Sequence, residues 1–255
     1  MGTIRIICGI WRRPAHAPTA AALLLAPLTA LALQPLVTDD TSTQGAGRWQ
    51  IETGGEQTPR QGGDSARPRQ WSATLTNGLA DPLDLYASAL YTRPGSAGSG
   101  WGDAALGLKW RWAEQGPFSL AVKPEIRLPT GDRQRGFGTG RAGASATLLA
   151  QWQAEPFTLL GNAGLTSQPN RLGEHPLRWQ FSGAALYRVT AQLQFALDAV
   201  VTRHPVPGAG PPPAFLIAAA VYSPRSWLDL DAGYRYGLNR QTDHHALMLG
   251  LTARW

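Results

Sequence analysis

The chain alternates apolar and polar residues over stretches of about ten residues, and this pattern limits its fold more than any other feature. One face of a typical stretch carries Leu106, Leu108 and Trp110, whereas the opposite face carries small or charged residues. Successive side chains of a β-strand point to opposite faces, so a period of two predicts strands with one apolar and one polar face. The chain contains twelve such stretches, the last of which ends at Trp255.

The connectors between these stretches alternate in length. Five are short, such as "AEQGP" and "VTAQ", and six are long, such as "PTGDRQRGFGTGR" and "RHPVPGAGPPP". Antiparallel strands with short turns at one end and long loops at the other are typical of outer-membrane barrels. We therefore expect an all-β fold, a transmembrane antiparallel up-and-down β-barrel of about 12 strands.

Aromatic residues gather at both ends of the predicted strands and lie on the apolar face, as expected for the two membrane interfaces. A soluble β-sandwich, the alternative, would turn this face inward and would give aromatics no reason to gather at strand ends. An Arg or Lys facing lipid at the midplane would cost about 2–4 kcal/mol, so the polar face must point into the lumen. The short-turn interface is predicted to contain Trp110, Trp112, Trp152, Tyr187 and Trp255.

The N-terminus has the pattern of a signal peptide that is removed on export. Three arginines precede an apolar stretch from Ala20 to Leu33, and "ALA" supplies a cleavage site after Ala32. We therefore predict a signal peptide at residues 1–32, an N-terminal periplasmic or lumen segment at 33–46 and the barrel at 47–255. This organisation predicts location in the cell outer membrane of a Gram-negative bacterium. The lone Cys8 lies in the signal peptide, so disulfide and thiol chemistry are not expected.

Removal of the signal peptide also reduces the excess of basic over acidic residues. The full sequence has 23 basic and 17 acidic residues, and removal of three arginines leaves 20 against 17. A nucleic-acid-binding protein would normally carry a stronger and more clustered excess of positive charge. We therefore expect no nucleic-acid partner.

The polar faces of the strands carry thirteen charged residues, eight basic and five acidic, that are predicted to line the lumen. They suit a narrow channel with a mild preference for anions. The alternative is that many of them pair across the lumen and keep it wet and rigid, and both interpretations can hold together. The predicted lining residues are Asp103, Lys109, Arg111, Lys123, Glu125, Arg127, Arg178, Arg188, Asp198, Asp229, Asp231, Arg235 and Arg254.

The stretch "PLVTDD", from Pro35 to Asp40, precedes the first predicted strand. It could fold into the lumen as a plug, where Asp39 and Asp40 would meet basic lining residues. The simpler interpretation, which we favour at this point, is a turn that launches the first strand.

Three stretches resemble an outer-membrane family named after the MetA pathway of phenol degradation, to which transport is ascribed. They are "PLVTDD", "KPEIRLPTGD" with the following "GFGTG", and "DAGYRYGLN". The resemblance implies a barrel that passes or binds small molecules, hydrophobic or aromatic compounds among them. It supplies no catalytic residues.

Two stretches raise the question of an enzyme. "GGDSA" contains Ser65, and "TDHH" contains Asp243, His244 and His245, which would suit an outer-membrane lipid hydrolase. The serine lies in a Gly- and Pro-rich loop without the tight strand-to-helix turn of a nucleophile elbow, so we expect no enzyme. Adjacent histidines in a strand point to opposite faces, which argues against a metal site. "GFGTG" has no helix after it to hold a phosphate, and no cofactor is expected.

We conclude from the sequence that the chain is a passive channel or transporter for small-molecule solutes. A structural or surface-interaction barrel with a closed lumen remains the alternative, because a fold does not fix a function. Outer-membrane lipid surrounds such a barrel, and Arg133, Arg135 and Arg141 suit the phosphates of lipopolysaccharide. The terminal aromatic after alternating apolar residues resembles the signal read by the barrel-assembly machinery, so the C-terminal strand is expected to contact it.

Overall fold

The structure is a computed structural model that describes residues 35–59, 67, 69–94, 98–169, 174–242 and 245–255. The predicted signal peptide, Ser65, Asp243 and His244 lie outside these residues. Among the described residues, no helix is long and apolar enough to cross a membrane, a finding that does not bear on crossing by strands.

The described ranges contain thirteen strands in one antiparallel sheet, and twelve of these strands run the height of the barrel wall. The two-residue strand β4 pairs with the outer end of β3, whereas β5 pairs with the rest of β3, so β4 and β5 together occupy one position in the wall. The strands are β1 (Trp49–Gln57), β2 (Arg69–Ala80), β3 (Leu83–Arg93), β4 (Gly100–Trp101), β5 (Ala105–Gln115), β6 (Phe118–Arg127), β7 (Gly143–Ala154), β8 (Phe157–Ser167), β9 (Leu177–Arg188), β10 (Leu193–Thr202), β11 (Ala214–Arg225), β12 (Leu228–Gly237) and β13 (His245–Arg254).

The sheet closes on itself because β1 pairs with β2 on one side and with β13 on the other. The register at this seam runs from Gln50 opposite Arg254 to Gln57 opposite Leu247. At its periplasmic end, Trp49 and Trp255 exchange backbone hydrogen bonds of 2.9 and 3.0 Å. The predicted twelve-stranded up-and-down barrel is therefore confirmed, and the ordered C-terminus follows from its place in the seam.

The strand faces are divided as the alternation predicts. Large apolar side chains cover the outer surface, including Leu148 and Leu249, which are 59% and 68% exposed. Alternate residues on the same strands, such as Leu149 and Thr252, are buried inside the barrel. Because so much contiguous apolar surface is stable only against an apolar medium, this outer surface faces lipid.

The predicted interface aromatics lie on this outer surface at the short-turn ends. Trp110, Trp112, Tyr187 and Trp255 are 45–64% exposed, and Trp152 is half-buried beside the short turn between β7 and β8. At the opposite ends, Trp71, Tyr91 and Trp101 form a contiguous aromatic group with ring centroids 6.1 and 5.1 Å apart.

Substitution of Leu249 by arginine tests the orientation of the outer face. Leu249 lies midway along β13, so Leu249→Arg should lower the free energy of unfolding in lipid by about 2–4 kcal/mol. Leu238→Arg is the matched control, because Leu238 is exposed just beyond the end of β12 and should tolerate the charge. Urea titration of the mature protein refolded into vesicles measures both, and equal effects would contradict a lipid-facing β13.

Candidate functional site

The segment that precedes β1 lies inside the barrel. Within residues 35–46, which we call the N-terminal segment, Thr38, Asp40 and Thr41 are no more than 5% exposed. The favoured interpretation of "PLVTDD" as a turn that simply launches the first strand is therefore wrong. The segment instead crosses the lumen because side chains of the wall satisfy the hydrogen-bonding groups of its backbone.

The centre of the N-terminal segment is held by Asp198 of β10, which is fully buried. Its Oδ2 accepts hydrogen bonds from the backbone N–H groups of Val37 and Thr38, at 2.8 and 2.9 Å. Its Oδ1 accepts from the Thr38 hydroxyl at 2.5 Å. A buried carboxylate needs several donors, and this short stretch of chain supplies all three of these.

The two carboxylates of the segment meet the only lysines of the sequence. Lys109 Nζ of β5 lies 2.9 Å from an Asp39 carboxylate oxygen and 3.3 Å from one of Asp40. Lys123 Nζ of β6 lies 2.7 Å from the second carboxylate oxygen of Asp39. The structure thus brings together two predicted lining residues and the two predicted plug residues.

The surroundings of Asp39 and Asp40 shift the pKa values of the two carboxyl groups in opposite directions. Burial would by itself raise the pKa of Asp39, but the charges of Lys109 and Lys123 outweigh it and hold that pKa well below its usual range. Burial raises the pKa of Asp40 above its usual value, although Lys109 opposes the shift. Ionised Asp39 therefore stabilises the bound segment at neutral pH, and its contribution is lost only when the pH falls through the depressed pKa.

Further contacts tie the segment to the periplasmic end of the wall. The Thr41 hydroxyl lies 2.5 Å from that of Ser119, and the Gln44 N–H donates to both carboxylate oxygens of Asp84 at 3.0 and 3.2 Å. Gly78 lies so close to Gly45 that a Cβ on Gly78 would be 1.9 Å from the Gly45 carbonyl oxygen. Only glycine at position 78 permits this backbone contact.

The lumen wall has an apolar side and a charged side. The apolar side is formed by buried residues of β8 to β11, and Leu36 and Val37 of the N-terminal segment pack against it. The charged side is formed mainly by β1, β3, β5 and β6, where a cavity of about 200 Å³ remains beside the segment. The buried residues of the apolar side are Leu160, Ala184, Leu186, Ala196, Ile217 and Ala219.

Most of the other predicted lining residues form ion pairs within the wall. Arg235 lies 2.7 Å from Glu56, Arg254 lies 2.8 Å from Asp229, and Arg127 lies 3.1 Å from Glu125. Arg111 and Arg178 lie 3.3 and 4.0 Å from Glu114 and Glu174. Arg188 pairs with Glu155 at the short-turn end. This pairing agrees with the interpretation that lumen charges keep the interior wet and rigid.

Asp103 has a different position from the one that its alternation predicts. It lies between β4 and β5 and accepts hydrogen bonds from the Gly131 N–H at 3.0 Å and from the Thr139 N–H and hydroxyl at 2.9 and 2.8 Å. Its carboxylate therefore organises the long connector between β6 and β7. The alternation could not show this, because Asp103 falls just outside a strand.

Sequence reasoning missed three acidic residues of the lumen, Glu52, Glu56 and Asp84. Glu52 and Asp84 line the cavity beside the segment, and Glu56 pairs with Arg235. Glu52 and Glu56 lie on β1, which has few bulky apolar residues, and this weakened the alternation signal there, whereas Asp84 lies at the start of β3 beside a short turn. With Asp103 assigned to a connector and these three residues added, the lumen set has seven acidic and eight basic residues, which removes most of the basic excess on which the expected anion preference rested.

Two wider cavities lie on the periplasmic side of the segment. One has a volume of about 530 Å³ and is bordered by Arg188 and Arg254, and the other has a volume of about 750 Å³ and is bordered by Arg111. The N-terminal segment contributes residues to both of them and to the smaller cavity of the charged side. It therefore separates the periplasmic mouth from the interior of the barrel.

Of the two adjacent histidines considered above, the structure describes His245. The ring of His245 is on the outer surface, with Nδ1 2.5 Å from the Tyr234 hydroxyl. Within the described ranges, no group of three or more His, Cys, Asp and Glu residues is arranged to hold a metal ion.

Loss of the Thr38 hydroxyl should loosen the segment without changing the barrel wall. Thr38→Val leaves Asp198 Oδ1 without this donor, at a cost of about 1.5–3 kcal/mol. Hydrogen exchange of the amides of residues 36–41 should then be roughly tenfold faster or more. Thr38→Ser is the control that keeps the hydroxyl. Equal exchange in both variants would contradict the assigned role of Asp198.

The whole barrel and its N-terminal segment match known proteins. Residues 32–255 match the family described as "Putative MetA-pathway of phenol degradation". The fold is similar to a COG4313 outer membrane channel from Pseudomonas putida F1, with a TM-score of 0.64 and 15% identity over 85% of this chain and 98% of that chain. It is also similar to the KdgM porin in complex with disordered oligogalacturonate, with a TM-score of 0.58 and 6% identity over 80% of this chain and 98% of that chain.

None of the curated proteins matches the chain. At such low identities, the two solved structures show a shared fold and nothing finer. The family match, in contrast, extends over nearly all residues after the predicted signal peptide and includes the three stretches that carry the resemblance. The chain therefore belongs to the family named after the MetA pathway of phenol degradation.

Proposed function

We propose that the protein is an outer-membrane channel for the passive passage of small molecules, and that the N-terminal segment closes it. The observation that carries this proposal is a lipid-facing barrel whose polar lumen is crossed by a segment of its own chain. A structural barrel gains nothing from a removable segment, because side chains of the wall can fill a narrow lumen. A channel with such a segment has a closed state and an open state.

The contacts of the segment are suited to reversible closure. Apart from the apolar packing of Leu36 and Val37 and the contact of Gly45 with Gly78, they are hydrogen bonds and ion pairs with the wall, and water can replace these when the segment leaves. The predicted lining residues Lys109, Lys123 and Asp198 would then face the passage directly. The remaining paired charges of the lining set would keep its shape.

The apolar side of the lumen supports small hydrophobic or aromatic compounds as the transported class. Leu36 and Val37 cover this side in the closed state, so departure of the segment would expose it to an entering solute. The family description, which names phenol degradation, is consistent with the same class. A purely polar solute would not need an apolar wall.

A structural or surface-interaction barrel is the second candidate, and the ion pairs of the lumen favour it. If the segment were permanent, the wall and segment together would form a closed and rigid core. A lipid hydrolase has less support, because Ser65 lies in a Gly- and Pro-rich stretch without the tight strand-to-helix turn of a nucleophile elbow. Unchanged phospholipid hydrolysis after Ser65→Ala would contradict a lipid hydrolase with Ser65 as its nucleophile.

The same proposal predicts which partners the barrel meets during and after export. Cleavage after Ala32 would release a mature chain into the periplasm, and β13 would present Trp255 to the barrel-assembly machinery. Lipopolysaccharide phosphates would contact the outer connector that carries Arg133, Arg135 and Arg141. The Arg135 guanidinium donates to the Ser99 carbonyl oxygen at 3.2 Å and lies 5.2 Å from the centre of the Phe137 ring, which holds this connector in shape.

Deletion of residues 33–46 tests the closed-channel proposal. In planar bilayers, the wild-type protein should give small or rare conductance steps, and the deletion variant should give larger and longer ones because the passage is no longer obstructed. Deletion of residues 206–211, in an outer connector, is the control for loss of chain alone. A folded deletion variant that stays silent would favour the structural barrel.

A substitution in the apolar wall tests the substrate class. In the variant that lacks residues 33–46, Ile217→Asn should lower the flux of phenol into vesicles several-fold but leave that of glycine unchanged, since apolar burial at this site is worth about 1.5–3 kcal/mol. Leu197→Asn, on the lipid-facing surface of the neighbouring strand, is the matched control. Equal loss of both solutes with Ile217→Asn would contradict an apolar substrate path.

A further inference from the structure

Two arginines lie side by side on the outer surface of the barrel wall. Arg69 of β2 and Arg93 of β3 are directly opposite each other in the register of these antiparallel strands. Each shares its face with the outward aromatic residue two positions along its strand, Trp71 or Tyr91. Both arginines are exposed. This arginine pair therefore presents two guanidinium groups on the outside of the wall and not in the lumen.

The charge of the arginine pair is not compensated by the described residues. Directly opposite residues have Cβ atoms about 4.5–5.5 Å apart, and like charges in this arrangement destabilise a sheet. Arg69 Nε donates to the Gln57 amide oxygen at 2.9 Å, which is a neutral partner. Within the described ranges, no carboxylate forms an ion pair with either guanidinium group. An anion from outside the chain would relieve the repulsion between the two groups.

The aromatic group of Trp71, Tyr91 and Trp101 indicates the height of the arginine pair in the membrane. Tyr91 is opposite Trp71 on one side and opposite Trp101 on the other. Aromatic side chains on the outer surface of a barrel mark the membrane interface. Two residues of a strand span about 6.6 Å, so the arginine pair lies that far beyond the aromatic rings, at the height of lipid head groups.

A third guanidinium group lies at the edge of this surface. Arg135 donates to the Ser99 carbonyl oxygen at 3.2 Å, and the Tyr91 hydroxyl donates to the Ser99 hydroxyl at 2.7 Å. A guanidinium group has five N–H donors, and the contact with Ser99 leaves others free. Arg135 is therefore placed to add donors to an anion that the arginine pair binds.

We propose that the arginine pair binds a phosphate group of a lipopolysaccharide molecule, whose acyl chains pack on the aromatic group. Phosphate suits the pair because its oxygens accept bidentate hydrogen bonds from guanidinium groups. Lipopolysaccharide carries phosphate at head-group height and acyl chains below it, which is the vertical order of the two surfaces. A solute in the lumen cannot reach the pair through the wall. The inference rests on the proposed contact of the outer connectors with lipopolysaccharide, and it does not require that the barrel conducts.

Binding of lipid A, the phosphorylated and acylated part of lipopolysaccharide, tests the proposal. The protein is purified in detergent, freed of bound lipid and titrated with diphosphorylated lipid A, and bound lipid is counted by native mass spectrometry. The wild type should retain a single lipid A molecule. Lipid A from which both phosphates have been removed should bind about tenfold more weakly or worse, because it keeps the acyl chains but lacks the charged acceptors.

Removal of the arginine pair should have the same effect. Arg69→Ser combined with Arg93→Ser should weaken binding of diphosphorylated lipid A about tenfold or more and leave binding of the dephosphorylated lipid unchanged. Arg240→Ser is the matched control, because Arg240 is exposed on the connector between β12 and β13 and not beside β2 and β3. The shift of electrophoretic mobility on heating confirms that each variant is a folded barrel.

Stability in urea gives a second measurement that does not use lipid binding. Without lipid A, the double variant should unfold at the same urea concentration as the wild type or at a higher one, because the like-charge repulsion is gone. With saturating diphosphorylated lipid A, the wild type should become the more resistant of the two, because a ligand stabilises the folded state that binds it.

Three results would overturn the assignment. They are equal binding of phosphorylated and dephosphorylated lipid A by the wild type, a folded double variant that binds as tightly as the wild type, and an equal loss of binding in Arg240→Ser. Complete displacement of lipid A by millimolar inorganic phosphate would assign the pair to free phosphate and would overturn the lipid site as well. None of these measurements depends on conductance, so their failure is distinct from failure of the channel proposal.

Discussion

The whole structure depends on the requirement that no backbone hydrogen-bonding group be left unpaired in lipid. An open sheet would expose two strand edges to the membrane, and each unpaired group would cost several kcal/mol. Pairing of β1 with β13 removes both edges and fixes the number of strands that enclose the lumen. Closure also creates a lumen that lipid cannot reach. Only such a lumen can contain the charged wall and the polar segment that crosses it.

The outer half of the structure was predictable from the sequence because lipid acts on every strand in the same way. The outer side of a residue such as Leu249 contacts lipid hydrocarbon, and this contact does not depend on the rest of the chain. Strand number, face and aromatic interface therefore follow from alternation and connector length. Membership of the family followed from short stretches that lie in the correct order.

The lumen side of the barrel was less predictable because the contacts of each lumen residue depend on which other residues enter the lumen. Lys109 and Asp39 are 70 positions apart in sequence and meet only when the segment enters the barrel. The alternation identified Lys109 and Asp198 as inward-facing, but it could not show that the irregular segment before β1 would bind to them. Asp103 and Glu52 were misjudged for a related reason, since one lies beyond a strand end and the other on a strand with few large apolar residues.

The contact between Gly78 and Gly45 limits which part of the N-terminal segment has to move when the channel opens. At this point the N-terminal segment runs against β2, and the chain then turns directly into β1, which forms one side of the seam with β13. The contact fixes the point at which the segment joins the wall. The proposed opening therefore needs movement of residues 35–44 alone, and the seam between β1 and β13 stays closed throughout.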